Sequence, residues 1–274
     1  MWRWLVILLA LPAALAAQDR RASHCIALVR DDLRDWQVIP ARWGAPLDAD
    51  TVRISYIDHA MFLIEGPGGE TAVTDYSGYI GPTGFTPDVA TMNNAHSTHW
   101  TWSPDPAIPH VLEGWGTEAA PRAHRVVVGG MLVRNVHTDT RRGDGDPLVR
   151  VNGNSIFIFE VAGLCIGHLG HLHHEPDANQ YAAIGRLDVV MIAVDGGLTV
   201  DTATAVRITE RLRASIVLTM HWWGRGSLDR FTGGLSDRFE VIEPGRSFIE
   251  VSLSNLPSRP TVVVLEPRLL SDDG

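Results

Sequence analysis

Apolar residues recur at every second position over short stretches of the chain, and turn-forming residues separate these stretches. The clearest example runs through "TVRISYIDHAMFLIE" (residues 51–65), crosses the turn "GPGG" and resumes in "ETAVTDY". Alternation with a period of two predicts a strand with one buried face, and a Pro/Gly turn between two such runs predicts a hairpin. The sequence therefore predicts a β-rich domain that begins near residue 51.

More strands follow, and helical patterns enter only in the second half. The predicted strands are "PDVATM", "HRVVVGGMLVRNVH", "SIFIFEVAGLCIGH", "DVVMIAV", "SIVLTMH", "SFIEVSLS" and "PTVVVLE". Helices are predicted in "PDANQYAAIGRL" and in "TVDTATAVRITERLRA", where Asp201 is the expected N-cap. The Pro/Trp-rich stretch "WTWSPDPAIPHVLEGWG" shows no periodicity and is predicted to be a loop over a site. This order predicts an α+β domain with a mixed β-sheet core and helices outside.

The first 17 residues have the features of a secretory signal peptide. Arg3 precedes an apolar run from Trp4 to Leu11, and Ala14-Leu15-Ala16 offers a cleavage site. A retained anchor is the alternative, but the run is shorter than the roughly 20 residues that span a bilayer. We expect a signal peptide over 1–17, a segment over 18–50, one domain over 51–274, and a periplasmic or secreted protein without stable membrane insertion.

Charge and cysteine content limit the partners and the chemistry. The formal net charge is −9 and all 23 basic residues are arginine, so no basic patch indicates a nucleic-acid partner. Only Cys25 and Cys165 are present. An oxidising compartment permits a disulfide between them, and two separate thiols are equally compatible with the sequence. Neither cysteine is expected to bind metal.

Several of the 12 histidines stand at or just past the end of a predicted strand. Side chains at such positions can converge on one cleft, and neutral imidazoles are among the commonest zinc ligands. A single histidine at a strand end is more often a surface or hydrogen-bonded residue, which is the only interpretation for His24, His110 and His124. Exposed or supporting positions are expected for His173 and His174. The candidate ligands are His96, His99, His137, His171 and His221.

These segments resemble, in order, those of the metallo-β-lactamase fold superfamily, and most of all its ascorbate-6-phosphate-lactonase-like branch. The resemblance rests on "YIDHAMFLIE", "TAVTDY", "PDVATMNNAHSTHW", "GNSIFIFEVAGLCIGHLGH", "DVVMIAVDGGLTVD" and "IVLTMHWWG". It implies a four-layer αββα sandwich with metals bound at one edge of the paired sheets. A β-lactamase proper fits less well, because the signature loop is altered and the later segments favour the lactonase-like branch.

The departures from the family pattern change the implied metal site. The signature His-x-His-x-Asp-His is represented here by Asn94, His96, Thr98 and His99, and His171 replaces an aspartate that bridges two metals in the family. An amide at the first position is a poor zinc ligand, so that metal site is expected to be weak or empty. The resemblance then implies one metal, most simply zinc, held by His99, His171, His221 and a water molecule, with a second metal or another divalent ion as alternatives.

The remaining polar candidates receive supporting roles under this resemblance. His96 and His137 are auxiliary ligands or proton-transfer groups, and His96, His137 or Asp195 is the expected catalytic base. Groups expected to orient the ligands, or to occupy changed positions of the signature loop, are His59, Asp75, Asn94, Thr98, Asp139 and His168. Asp139 also competes with His137 as the polar group of its segment.

The implied activity is hydrolysis of a small-molecule ester, lactone or phosphoester. Bound zinc lowers the pKa of water from about 15.7 toward about 7 and polarises the attacked oxygen. Five tryptophans near the candidate ligands predict an aromatic wall for the substrate, although some can equally serve to pack the loop: Trp100, Trp102, Trp115, Trp222 and Trp223. Loss of two signature residues supports an alternative, a non-catalytic member of the fold that binds metal or a ligand.

Overall fold

The computed structural model describes residues 23–26, 43–141 and 149–272. The predicted signal peptide lies outside these residues. Within the described ranges, no helix combines the length and apolarity that crossing a bilayer requires.

Two β-sheets form the centre of the molecule. The six-stranded sheet has the order β13 (Phe248–Val251), β1 (Val52–Asp58), β2 (Met61–Glu65), β3 (Thr71–Val73), β4 (Val89–Met92) and β5 (His110–Glu113). The eight-stranded sheet has the order β12 (Glu240–Ile242), β14 (Thr261–Val263), β11 (Ile216–Met220), β10 (Val189–Ala193), β9 (Leu164–His168), β8 (Val149–Val161), β7 (Met131–Arg141) and β6 (Arg125–Val128).

The strict alternation along the strands creates the core between the two sheets. On β2, Phe62 and Ile64 face the other sheet, whereas Met61 and Leu63 belong to a separate cluster on the opposite face. Strand β8 behaves in the same way, since Phe157 and Phe159 enter the inter-sheet core. Both faces of these strands are buried, so each sheet needs a further layer outside it.

In the part of the chain that the structure describes, three helices cover the outer face of the eight-stranded sheet. They are α1 (Ala178–Ile184), α2 (Thr202–Leu212) and α3 (Arg225–Leu235). A capping box at Asp177 begins α1, and the side chain of Asp201 accepts a hydrogen bond from the backbone N–H of Thr204 at the start of α2. Their apolar faces pack on this sheet in a second core cluster, through residues such as Ile208 and Phe231.

Loops, rather than helices, cover the outer face of the six-stranded sheet in the described part of the chain. Tyr76, Ile80, Ile108 and Leu270 are buried there, and the partly buried Trp43 packs against them. The predicted α+β sandwich is confirmed. Its helical layers are, within the described residues, confined to one side.

A disulfide joins Cys25 to Cys165 on β9, with a distance of 5.7 Å between their Cα atoms. This settles the choice that the sequence left open. The neighbouring backbone is also fixed, because Ser23 Oγ and the backbone N–H of His24 donate to the carboxylate of Glu160. Residues 23–26 therefore attach to the eight-stranded sheet.

Most predicted elements are confirmed, and the differences have local causes. Residues 51–65 form two strands rather than one, because the chain turns at His59, which has a φ of 49°. Strand β5 lies inside the stretch predicted as a loop, where it pairs in parallel with β4. Helix α3 escaped prediction because Gly226, Gly233 and Gly234 weaken its helical pattern.

Candidate metal centre

Ends of neighbouring strands bring the candidate side chains together at one edge of the sandwich. The six-stranded sheet contributes His59 from the β1–β2 turn, Asp75 after β3 and His99 after β4. The eight-stranded sheet contributes His171 after β9, Asp195 after β10 and His221 after β11. Strands β9, β10 and β11 are parallel neighbours, so their carboxyl ends meet at the same edge.

Four buried or half-buried imidazoles form a cluster there. The centroid of the His99 ring lies 4.6 Å from that of His171 and 5.1 Å from those of His59 and His221. His59 and His221 approach to 4.1 Å, and His171 lies 5.3 Å from His221. We call His59, His99, His171 and His221 the histidine cluster.

A buried carboxylate orients His99. Nδ1 of His99 lies 2.5 Å from Oδ2 of Asp75, and Oδ1 of Asp75 accepts a hydrogen bond from the backbone N–H of Asn93. Burial raises the pKa of the Asp75 carboxyl to about 6. At neutral pH the carboxylate accepts from His99 Nδ1–H, which leaves the Nε2 lone pair available to a metal.

A second carboxylate orients His221, with more support from its own loop. Nδ1 of His221 lies 2.9 Å from Oδ2 of Asp195. Oδ1 of Asp195 accepts from the backbone N–H groups of Gly197, Leu198 and Thr199, and Oδ2 accepts from the Thr199 hydroxyl. Burial alone would raise the pKa of Asp195, but these hydrogen bonds hold it well below its usual range. With both oxygens engaged, Asp195 fits an orienting role better than that of catalytic base.

The two oriented rings direct their remaining nitrogens at each other. Nε2 of His221 lies 3.2 Å from Nε2 of His99. Two lone pairs in this position repel unless a cation lies between them, and two nitrogens on a tetrahedral zinc at 2.0–2.1 Å are about 3.3 Å apart. The observed separation therefore fits a pair of metal ligands.

His59 completes a set of three. Its Nε2 is buried and has no hydrogen-bond partner, and the nitrogens of His59, His99 and His221 all lie within 4.8 Å of one another. Burial and the neighbouring histidines lower the pKa of His59 to about 3, and they lower that of His99 as well. Neutral imidazoles are the form that binds metal, so the donor set fits zinc or a similar divalent ion. The family resemblance implied only an orienting role for His59.

Strained backbone concentrates at this centre. Within the described ranges, six residues other than glycine have positive φ angles, and His59, Asp75 and His221 are three of them. Such conformations persist only where the surroundings enforce them, and they gather at functional sites. Here the backbone N–H of His221 donates to the carbonyl of His59, and the Tyr56 hydroxyl donates to the same carbonyl. The two sheets are thus tied together at the cluster.

His96 and the altered signature positions lie at the rim. His96 is exposed, with its ring 5.7 Å from those of His99 and His171, and Nδ1 lies 3.1 Å from the Thr98 hydroxyl. Asn94 is buried and its backbone forms a bridge with Asn154. No described contact joins Asn94 or Thr98 to the cluster rings.

Three other candidates are engaged elsewhere. Nε2 of His137 lies 2.6 Å from the carbonyl oxygen of Arg122, and no described contact joins His137 to the cluster. Asp139 accepts a hydrogen bond from the backbone N–H of Asn152. His168 is fully buried, and its Nε2 lies 2.7 Å from the carbonyl of Ala60, next to the His59 turn.

The five tryptophans do not form one wall. Trp223 lies over the cluster, with ring centroids 4.7 Å from His221 and 5.4 Å from His59, and is 64% exposed. Trp100 and Trp115 pack edge to face at 5.5 Å and join the loop layer. Trp222 packs with the helices, and Trp102 is 89% exposed. Only Trp223 has a described ring contact with the cluster.

A cleft of about 390 Å³ adjoins the cluster through His173, whose Nε2 lies 2.7 Å from Nδ1 of His171. Its lining also includes Arg141, His174, Thr199 and Arg207. Donors and acceptors both line this space. The four rings of the histidine cluster are not part of this lining, so the cleft lies next to the metal centre and not at it.

Comparisons with known proteins find the same fold in solved structures. A structure from Thermotoga maritima, described as a proposed Zn-dependent hydrolase of the metallo-β-lactamase superfamily, is 25% identical and has a TM-score of 0.57. The match covers 79% of this chain and all of that one. The metallo-β-lactamase fold protein YhfI from Bacillus subtilis is 9% identical, with a TM-score of 0.50 and coverage of 80% and 97%. No curated protein sequence matches the chain.

A family model described as a beta-lactamase superfamily domain matches residues 53–221. This range begins on β1, ends at His221 and contains every member of the histidine cluster. The similarity to the ascorbate-6-phosphate-lactonase-like branch stays a prediction. The chain belongs to the beta-lactamase superfamily and has the metallo-β-lactamase fold.

Proposed function

We propose that this chain is an exported, metal-dependent hydrolase that acts on a small-molecule ester, lactone or phosphoester. The observation that carries the proposal is the 3.2 Å approach of Nε2 of His99 to Nε2 of His221, each ring held from behind by a buried carboxylate. The buried, unpaired Nε2 of His59 supplies a third ligand. One divalent metal, most simply zinc, would bind to these three residues.

When bound, such a metal would supply an acidic water and a Lewis acid at neutral pH. The protein residues would hold and surround it. Asp75 and Asp195 orient two of the ligand rings, and Trp223 provides an apolar surface beside them. His96 is exposed at the rim and is the proposed proton acceptor, since Asp195 and His137 have other partners.

Two features support export. The N-terminal residues have the pattern of a signal peptide, and Cys25 and Cys165 are paired, as oxidising compartments allow. Expression of the full chain in a Gram-negative host tests this. We expect the mature protein in the periplasm or medium with its N-terminus near residue 18, and full-length protein in the cytoplasm would contradict export.

Metal content and turnover test the activity together. Plasma mass spectrometry of the purified mature chain is expected to give about one zinc per chain. Hydrolysis is then measured with p-nitrophenyl acetate, γ-butyrolactone and bis(p-nitrophenyl) phosphate, before and after chelation. The matched control is His110→Ala, which removes a half-buried histidine at the start of β5 and should keep both metal and activity.

A non-catalytic role is the second candidate, because Asn94 and Thr98 stand where the family signature has a histidine and an aspartate. Those losses remove a carboxylate that would accept a proton from water. Bound zinc without hydrolysis of any probe would favour this role. Hydrolysis that chelation abolishes and zinc restores would exclude it.

A further inference from the structure

A second path of hydrogen bonds reaches the histidine cluster, and it ends on a guanidinium instead of a carboxylate. Nδ1 of His171 lies 2.7 Å from Nε2 of His173. On the other side of that ring, Nε of Arg141 donates to Nδ1 of His173 at 2.5 Å. Arg141, His173 and His171 thus form a continuous chain.

The chemistry of arginine fixes the direction of every bond in this chain. A guanidinium only donates, so Nδ1 of His173 must be the acceptor. Neutral His173 then carries its hydrogen on Nε2 and donates it to Nδ1 of His171. The His171 ring has its lone pair committed at Nδ1 and therefore carries its hydrogen on Nε2.

This tautomer is the reverse of the one imposed on His99 and His221. Their Nδ1–H groups face carboxylates, so their Nε2 atoms keep lone pairs. A nitrogen that carries hydrogen cannot bind a metal. Within the described residues, the three histidines whose nitrogens lie within 4.8 Å of one another are His59, His99 and His221, without His171.

We propose that His171 donates a hydrogen bond from Nε2 to the substrate oxygen at the metal centre, and that Arg141 and His173 are positioning residues that fix its tautomer. The proposal rests on the proposed function and deepens it. The substrate would be an acyl or phosphoryl compound whose oxygen gains negative charge during attack, because a preorganised N–H donor favours that charge. His171 is thereby removed from the ligand set that the family resemblance implied.

The surroundings hold this chain in place. The Arg141 guanidinium donates to the carbonyls of Gly197, Leu198 and Thr199, in the same loop whose N–H groups hold Asp195. The backbone N–H of His171 donates to Oδ1 of Asn154. One loop thus acts on two rings. Its backbone N–H groups hold Asp195, which orients His221, and its carbonyl groups hold Arg141, which orients His171 through His173.

The zinc content of four variants shows whether His171 is a metal ligand or a hydrogen-bond donor. Full mature chains carrying His59→Ala, His171→Ala, His171→Gln or His110→Ala are loaded with zinc, dialysed and analysed by plasma mass spectrometry. We expect both His171 variants and the His110 control to keep about one zinc per chain, and His59→Ala to lose it. Zinc loss in both His171 variants, to the level of His59→Ala, would overturn the proposal. Absence of zinc from the unmutated protein would instead count against the proposed function.

Nitrogen NMR reads the tautomer directly and needs no turnover. Two-bond ¹⁵N–¹H spectra of the histidine-labelled, zinc-loaded protein are expected to show hydrogen on Nε2 of His171 and on Nδ1 of His99 and His221. Arg141→Met should let the His171 hydrogen redistribute between its nitrogens, whereas Arg141→Lys keeps a donor and should retain the pattern. Hydrogen on Nδ1 of His171 in the unmutated protein would disprove the assignment.

Inorganic phosphate serves as the probe of the donor itself. Its addition to the zinc-loaded protein is expected to shift the Nε2–H resonance of His171 downfield. His171→Ala should weaken phosphate binding about tenfold, the effect of losing one hydrogen bond to a charged group, and His171→Gln should recover part of it. Equal phosphate affinity in the unmutated and His171→Ala proteins would contradict the donor role.

Discussion

Asp75 and Asp195 perform the same task in very different surroundings. Each places an oxygen within 2.9 Å of Nδ1 of a cluster histidine, Asp75 for His99 and Asp195 for His221. Asp195 also accepts three backbone N–H groups and the Thr199 hydroxyl, whereas Asp75 accepts one backbone N–H, from Asn93. The pKa of Asp195 is therefore lowered, while burial raises that of Asp75 to about 6.

The difference shows that orientation of a ligand and stability of the carboxylate are separate properties. Asp195 is stabilised by a loop whose amides converge on it, so its charge costs little in the folded state. Asp75 is buried and accepts one described backbone N–H, so its charge is costly in the folded state. Its backbone also has a φ of 50°, which a folded protein keeps only when other contacts enforce it. A bound metal would relieve this cost on the Asp75 side more than on the Asp195 side.

The largest expected effect is the loss of metal when either oriented ring is removed. His99→Ala and His221→Ala should each release essentially all zinc, because each removes one of three ligands, whatever the state of its carboxylate. Metal analysis after dialysis measures this. Retention of zinc by one variant alone would show that the two halves of the site are not equivalent.

Replacement of the carboxylates should give a smaller and unequal effect. Asp75→Asn and Asp195→Asn are each expected to weaken zinc binding roughly 10–100-fold, the usual cost of losing a group that orients a ligand. Asp195→Asn should lie at the upper end, since an amide NH₂ in place of one oxygen also disturbs the loop over Gly197–Thr199. Competition with a chromophoric chelator gives both affinities, and a larger loss in Asp75→Asn would reverse the comparison.

The smallest effect is a pH dependence of the metal-free protein. Asp75 has a folded pKa of about 6, above the ordinary value of 3.8, so the folded state binds its proton more tightly than the unfolded state. Its contribution to stability is complete below about pH 4 and is lost as the pH rises through 6. Relative to Asp75→Asn, the unmutated apoprotein should lose about 2 kcal/mol of unfolding free energy between pH 4 and 6.5.

Asp195→Asn is the matched variant, with the opposite sign. The folded pKa of Asp195 is lowered, so its contribution is present at neutral pH and is lost as the pH falls below about 4. The stability gap between unmutated protein and Asp195→Asn should therefore shrink on acidification. Urea unfolding at several pH values measures the unfolding free energy of both variants. The same pH dependence for Asp75→Asn and Asp195→Asn would contradict the predicted difference between the two carboxylates.

Strand ends were sufficient to predict much of this site. His99, His171 and His221 follow buried strands whose apolar runs are readable in the sequence, and the parallel order of β9–β11 brings the last two together. The fold could also be predicted from the sequence, because six segments that resemble those of the family occur in the same order as in the family. Local pattern and chain order carry this information without any knowledge of side-chain contacts.

The roles of His59 and Arg141 at the site could not be predicted from strand ends. His59 lies inside an alternating run, and nothing in the letters "IDHAM" marks the positive φ that turns its ring into the cluster. Arg141 acts through His173, and that contact depends on the pairing of β7 with β8 and on the course of the loop after β9. For His137, the strand register pairs the residue with Ser155, and its Nε2 lies 2.6 Å from the carbonyl oxygen of Arg122, without a described contact with the histidine cluster.

The Cys25–Cys165 bond divides the metal centre along the chain into the same two groups of residues that the two sheets contribute. It closes a covalent ring over a sequence separation of 140 residues, and that ring contains His59, Asp75 and His99. His171, Asp195 and His221 lie on the open chain beyond it. One cut by a protease inside the ring leaves a single particle that still holds both halves of the site, and the cleavage becomes visible on a gel only after reduction.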